Sequence, residues 1–427
     1  MNAYHVIGVL DNGAEGITPA ALHLISQAQV VIGGARTLQI FASTFTRDAQ
    51  LLDLTGKLPS VPQWVNDALQ RDQRVVVLAT GDPLCYGIAR YLIDRLPDAR
   101  CNTVPNVSTA QLAFARLNLH WQDAAWVSAH AHDSGEWLSG ADSRHALYPI
   151  LQATVSSNKL AIFTSPQNTP ARIARMLLAE NFGAEWQVAI ANALLQPTER
   201  IVGPLSIAEA AQTDSDALNI MLLWRTGVQP TRVHGLRDDA FAQRKPEKGL
   251  ITKREVRAVS LAYLQLHARS IVWDIGAGSG SVGLEAARLC PLGHVYAAEK
   301  NHDDAENARE NRKRLGVYNY TLAHTKAPAG LGDWLDPDAV FIGGSGGELE
   351  ELIAYSLQRM TRGGNLVMNF VTFENLARAL ATLKNVGATW QVTQMQVARS
   401  QPILDMQRLA AENPVWIICA QAGEKGA

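Results

Sequence analysis

Short β-branched runs alternate with alanine- and leucine-rich stretches of helical period from one end of the chain to the other. In the first part, residues 5–10, 30–33, 74–80, 159–164, 187–192 and 219–225 read as strands. Residues 19–26, 62–70 and 169–180 read as helices between them. The last of these has an early proline, Pro170, and an apolar stripe through Ile173, Met176 and Leu177. Residues 226–249 break the pattern. Thr226-Gly227-Val228-Gln229-Pro230 is a breaker cluster, and the charged stretch 237–248 contains Pro246. The alternation then resumes with helices at 253–266, 281–290 and 303–315. Strands are expected at 270–275, 294–299, 339–342, 365–369, 391–397 and 415–420. This grammar predicts α/β domains with largely parallel sheets. It divides the chain into 1–225, a join at 226–249, and 250–427.

Length and composition support that division. A chain of 427 residues with 47% hydrophobic residues exceeds what one core usually holds, so two domains are expected. The longest apolar runs, at 75–79 and 415–420, are strand-sized and far from the ~18–20 residues of a membrane span. Met1-Asn2-Ala3-Tyr4-His5 lacks the basic-then-apolar order of a signal peptide. Basic and acidic residues number 15 and 19 up to residue 225, then 23 and 21 after it. Neither part carries the excess expected of a nucleic-acid binder. Cys85, Cys101, Cys290 and Cys419 are too scattered for a CxxC metal site and suit reduced thiols in a cytoplasm. No metal is expected.

The sharpest local signal is Val272-Trp273-Asp274-Ile275-Gly276-Ala277-Gly278-Ser279-Gly280-Ser281. An apolar strand runs into three glycines at alternate positions and then a helix, so a ligand can approach the backbone without meeting a Cβ. Glu299 ends the next strand, where a carboxylate can accept from both ribose hydroxyls. The GxGxG spacing departs from the dinucleotide GxGxxG. Asp274 beside the turn would repel a pyrophosphate and suits an ammonium group. Together these favour S-adenosylmethionine over a nicotinamide cofactor or a bare connecting turn. The constellation resembles class I methyltransferases. Thr252 within Ile251-Thr252-Lys253, the run Phe341-Ile342-Gly343-Gly344-Ser345-Gly346-Gly347 and Asn413-Pro414-Val415 narrow the resemblance. They are similar to the corrin-pathway methyltransferases that methylate C15 and decarboxylate the C12 acetate. That resemblance implies cofactor contacts at Thr252, Gly276 to Gly280, Glu299 and Ala327-Pro328. Thr325-Lys326 stands where that family usually has Gly-Asp, leaving Lys326 or Ala327 to contact the cofactor through the backbone.

The first part has a different signature. Leu78-Ala79-Thr80-Gly81-Asp82-Pro83-Leu84-Cys85-Tyr86-Gly87 follows a buried-looking strand. Alone it reads equally as an ordinary turn. Together with Gly8 and Pro105-Asn106-Val107-Ser108-Thr109 it resembles the tetrapyrrole methylases, and within them the corrin C5-methyltransferases. Ser165-Pro166-Gln167-Asn168-Thr169-Pro170 looks like the start of that family's second lobe. The resemblance implies a two-lobed α/β fold and cofactor contacts at Gly8, Gly81, Asp82, Pro83, Ser108 and Thr109. The loop Gly8-Val9-Leu10-Asp11-Asn12-Gly13 replaces the family's usual Gly-x-Gly-Pro-Gly. Asn106 replaces a glycine, and its tolerance of left-handed backbone is expected to keep the turn.

The resemblance covers nearly the whole chain, and the order of the halves matches fused corrin methyltransferases of cobalamin synthesis. It implies two S-adenosylmethionine sites and a tetrapyrrole substrate. Methyl transfer would occur to C5 in one half and C15 in the other, with loss of the C12 carboxylate. A homo-oligomer is also implied. Arg244, Lys245 and Lys253 are candidates for the carboxylate arms, with a solvated linker face as the competing reading. Gly343, Gly344 and Ser345 are candidates for close approach of the macrocycle, with a plain turn as the competitor. His130, His132 and His145 are assigned no role. An RNA methyltransferase is the alternative, although near-zero charge and the absence of an Asn/Asp-Pro-Pro-Tyr segment speak against it.

Overall fold

A computed structural model describes residues 3–227, 234–244 and 251–422. The chain forms two compact units. Unit 1 comprises residues 1–133, 157–175 and 183–226, and unit 2 comprises 134–156, 176–182 and 227–427.

Unit 1 holds two five-stranded sheets. The first contains β1 (Ala3–Val9), β2 (Val30–Gly33), β3 (Gln50–Asp53), β4 (Val75–Thr80) and β5 (Arg100–Val104), in the order β3-β2-β4-β1-β5. Every pairing in it is parallel. Central β4 is buried on both faces from Val75 to Ala79, which is why it appears as a continuous apolar run. Edge strands β3 and β5 are half-exposed and lack such a run, so the hydrophobic pattern misses them. The second sheet contains β6 (Ala125–Ser128), β7 (Lys159–Phe163), β8 (Trp186–Asn192), β9 (Arg200–Leu205) and β10 (Asn219–Arg225), in the order β6-β7-β10-β8-β9. Here the expectation of parallel pairing fails. Of the four pairings, β6 with β7 is parallel and the others are antiparallel. Apolar content marks a strand as buried but does not set its direction.

Unit 2 is built on a seven-stranded sheet. Its strands are β11 (Ile271–Ile275), β12 (His294–Glu299), β13 (Tyr320–His324), β14 (Ala339–Ile342), β15 (Asn365–Phe370), β16 (Thr389–Met395) and, after a hairpin of β17 (Ala398–Ile403) and β18 (Met406–Ala411), β19 (Val415–Gln421). The order is β13-β12-β11-β14-β15-β19-β16, parallel except that β19 runs against both its neighbours. Alternate residues feed two cores. Trp273, Ile275, Tyr296, Ala298, Val340 and Ile342 enter one, and Val272, Val295, Ala297, Ala339 and Phe341 the other. A sheet covered on both faces by helices directs the ends of β11, β12 and β14 to a common edge, where loops gather.

The units depart from a simple cut at residue 225. Segments 134–156 and 176–182 pack within unit 2 around a buried ion pair. Glu180 Oε2 accepts from Arg312 Nη2 at 2.7 Å, with both side chains under a tenth exposed. Glu180 Oε1 accepts from Trp137 Nε1 at 2.8 Å. Tyr148 Oη lies 3.0 Å from Nδ1 of buried His294. Among the described residues, no helix is long and apolar enough to cross a membrane.

Candidate functional site

In unit 2, Gly276, Gly278 and Gly280 have φ of +70°, +55° and +75°. This left-handed backbone suits glycine far better than other residues. At Gly276 space also decides, because a Cβ would stand 2.2 Å from the carbonyl oxygen of Gly344. The turn is tied to the neighbouring strand by the Gly276 and Ala277 amides, which donate to Ala298 O at 2.9 and 3.1 Å. From the end of β14, the Gly343 amide donates to Ile275 O at 2.9 Å. Two glycine-rich backbones thus meet beside a cleft of about 280 Å³ lined by Gly276, Gly278, Glu299, Lys300, Asn301, Lys326, Ala327 and residues 343–346. Gly343, Gly344 and Ser345, expected at the macrocycle, therefore belong to the same cleft as the glycine turn.

Glu299 is 7% exposed. Its Oε2 accepts from the Gly278 amide and its Oε1 from the Asn301 amide, each at 2.8 Å. An ionised carboxylate has about four acceptor positions, so two remain for a vicinal diol. The site fits a ribosyl ligand on this ground: a fixed carboxylate with acceptor positions left over stands at the side of a cleft walled by glycine backbone.

Asp274, expected beside an ammonium group, is held by the protein's own backbone. It is 1% exposed and lies outside the cleft lining, and its Oδ2 accepts from Gly283 N at 3.0 Å, in the helix Ser281–Leu289. Burial, with a smaller push from Glu299, raises its carboxyl to about 7 against the pull of the Gly283 amide. Asp274 anchors the helix behind the turn. Ala277, Ser279, Gly280, Thr252 and Lys253 also stand outside the lining among the described residues. Gly280 begins the helix as its N-cap, and the Thr252 carbonyl accepts from Arg257 Nη1 at 2.6 Å.

Arg244 lines this cleft but is already paired. Its Nε donates to Asp304 Oδ1 at 2.7 Å and its Nη2 to Asp304 Oδ2. That carboxylate raises the guanidinium pKa further. Arg244, expected at the carboxylate arms, thus makes an intramolecular fork with Asp304. Lys245 lies outside the described residues. Lys326 reaches Glu348 at 2.5 Å at the cleft. The sequence reading missed Lys300, Asn301 and Asp304, although their position just after Glu299 was an available signal.

In unit 1, three turns converge at the ends of β1, β4 and β5. A Cβ on Gly8 would lie 2.3 Å from Gly81 O and 2.9 Å from Asn106 N. Gly81 takes φ +74° and donates to Val9 O at 2.8 Å. Asn106 is not left-handed, contrary to expectation. Its side-chain amide instead bridges Gly8 O at 3.1 Å and Gly16 O at 2.8 Å, so a side chain does the joining. Asp82 Oδ1 accepts from Leu84 N at 2.9 Å. Ser108 is committed to a capping box with Gln111 at the start of the helix Thr109–Arg116.

A cleft of about 510 Å³ in this unit is lined by Asp11, Arg36, Tyr86, Thr109, His130, Phe163, Thr164 and Asn219, among others. Thr109 lines it, while Gly8, Gly81, Asp82, Pro83 and Ser108 are outside the lining among the described residues. Asp11 pairs with Arg36 and accepts from Gln196 Nε2 at 2.6 Å. His130, to which the sequence assigned nothing, sits here with Nδ1 3.1 Å from Ser128 Oγ, and burial lowers its pKa.

Two family models match different parts of the chain. Residues 5–210 match the model of the tetrapyrrole (corrin/porphyrin) methylases, and residues 243–421 match that of the precorrin methyltransferase domain. A precorrin-6Y C(5,15)-methyltransferase [decarboxylating] from a Sinorhizobium species is 32% identical over 413 residues, 96% of this chain and 94% of that protein. A cobalt-precorrin-6B C(15)-methyltransferase (decarboxylating) of Salmonella typhimurium is 37% identical over 190 residues, 44% of this chain and 97% of its own. A crystal structure of precorrin-6y C5,15-methyltransferase from Geobacter metallireducens has 43% sequence identity, covers 44% of this chain and 99% of its own, and gives a TM-score of 0.43. With a relative above 30% identity aligned along nearly its whole length, the chain belongs to the decarboxylating precorrin-6Y C5,15-methyltransferases.

Proposed function

We propose that the two clefts serve two methylations of one substrate. The enzyme methylates precorrin-6B at C5 and C15 and removes the C12 acetate carboxylate, giving precorrin-8 in cobalamin biosynthesis. The corrin reading replaces the RNA-methylating alternative. The observation that carries the two-site reading is that each half has its own glycine-dependent backbone junction beside its own cleft.

S-adenosylmethionine supplies an activated sulfonium methyl at each site. The protein therefore needs no nucleophilic side chain of its own, and its task is to place a ring carbon in line with that methyl. In unit 2, Glu299 would hold the ribose hydroxyls, and the backbone at Gly276, Gly278, Gly343 and Gly344 would admit the ligand closely. Lys326 and Ala327 complete that wall. In unit 1, Thr109 and the loops held by Gly8 and Gly81 would do the corresponding work. When carbon dioxide leaves, the conjugated imine system of the substrate accepts the electron pair, which returns to the former acetate carbon as that carbon takes up a proton and becomes the C12 methyl group. The free cysteines fit a reducing cytoplasm, and we place the enzyme there as a homo-oligomer.

The test supplies methyl-labelled S-adenosylmethionine with precorrin-6B or with bulk RNA. Label is expected in the tetrapyrrole, with two methyl groups gained and one carbon dioxide lost. Label in RNA alone overturns the reading.

A further inference from the structure

Tyr86 lies in the turn after β4 and is not used by the cofactor reading. It adopts φ +53°, a left-handed conformation that is unfavourable for a bulky side chain and tends to persist at functional sites. Burial does not explain why it is kept, because 58% of the residue is exposed. It is nevertheless held at both ends of the side chain. The hydroxyl donates to Trp126 O at 2.6 Å. The ring centroid is 5.3 Å from that of Phe163, with the planes tilted by 49°. Trp126 lies 6.2 Å from Phe163, so the contact is part of an aromatic cluster.

Both Tyr86 and Phe163 line the unit 1 cleft. Apolar Leu194 and Ile220 share it with the Asp11–Arg36 pair. A lining of aromatic, aliphatic and charged groups suits a ligand with a flat conjugated body and polar arms. We propose that Tyr86, backed by Phe163, is the surface on which the conjugated face of the tetrapyrrole rests for methylation at C5. This rests on reading the unit 1 cleft as the C5 site. An aromatic face stacks with offset geometry on a conjugated ring. A ring already fixed by backbone, hydroxyl and neighbour gives up little freedom when the substrate arrives.

The test uses the full chain with two variants. Tyr86→Phe keeps the ring and drops the bond to Trp126 O; the KM for the tetrapyrrole in C5 methylation is expected to stay within threefold. Tyr86→Gly removes the ring, and glycine accepts φ +53° without strain. It should fold as well as the parent and raise that KM at least tenfold. Its S-adenosylmethionine affinity and C15 methylation should stay within twofold. An unchanged KM for Tyr86→Gly overturns the proposal, and so does loss of cofactor affinity in its place. A Tyr86→Gly chain that fails to fold assigns the ring to the core and also overturns it. If the parent chain itself never methylates C5, the reading of the cleft falls instead.

Discussion

Glu299 and Asp274 show how two carboxylates on neighbouring strands take different parts beside one glycine turn. Glu299 ends β12 with two backbone amides fixing its carboxylate and acceptor positions left over. Glu299→Gln removes the charge and one acceptor oxygen. Hydrogen bonds to charged groups contribute about 1.5–3 kcal/mol. The dissociation constant of S-adenosylmethionine at the second site should therefore rise roughly tenfold to a hundredfold, with C15 methylation recovering at high cofactor and C5 methylation unaltered. Calorimetry with a product assay checks this; unchanged affinity would remove Glu299 from the site. Asp274 is buried, its Oδ1 has no partner among the described residues, and its carboxyl is raised from 3.8 to about 7. Between those values the folded chain binds more protons than the unfolded chain, so this group's contribution to stability is lost as pH rises from about 4 to 7. Asp274→Asn keeps an acceptor for the Gly283 amide and does not titrate. The parent should lose thermal stability relative to the variant across that range, and parallel melts at pH 4.5 and 8 measure it. Both acids were legible in the sequence as a pair flanking a glycine turn. That Asp274 is tied to the helix packed behind it was not, because that depends on contacts outside the turn.

At the scale of elements, the hydrophobic period located buried strands well. Predicted strands at 30–33, 219–225, 294–299 and 339–342 match β2, β10, β12 and β14 residue for residue. It missed β3, β5, β6, β9 and the β17–β18 hairpin, whose residues are largely exposed or half-exposed. A strand held mainly by ladder hydrogen bonds carries little apolar signature. β13 was also missed, and it carries the backbone that Arg312 grips: Arg312 Nε donates to Tyr320 O at 2.9 Å. Glu180 is what keeps that guanidinium neutralised. Removing one partner of a buried pair costs about 3–5 kcal/mol, so Glu180→Ala should lower the melting temperature of unit 2. An Arg312→Leu second substitution should restore part of the loss. A double-mutant cycle with additive losses would mean the pair is not coupled.

For the whole molecule, the sequence places the join between the halves at residues 226–249. The contacts qualify this, since residues 134–156 and 176–182 belong to the second compact unit. A fragment beginning at residue 227 should still bind S-adenosylmethionine, because its cleft is lined from residue 244 onward. It should also melt below the same unit in the intact chain, because Arg312 loses Glu180 and His294 loses Tyr148. Calorimetry and thermal melts of both proteins decide, and equal melting temperatures would show that the earlier segments add nothing. The family, the α/β class, the two glycine turns and Glu299 follow from the sequence by itself, because local backbone demands and apolar period are written in neighbouring residues. Only the tertiary structure decided the antiparallel pairing of the second sheet, the inward turn of Asp274, the capture of Arg244 by Asp304, the bridge made by Asn106 and the exposed fixed ring of Tyr86. Each depends on contacts between residues distant in the chain, and no local pattern records which distant groups will meet.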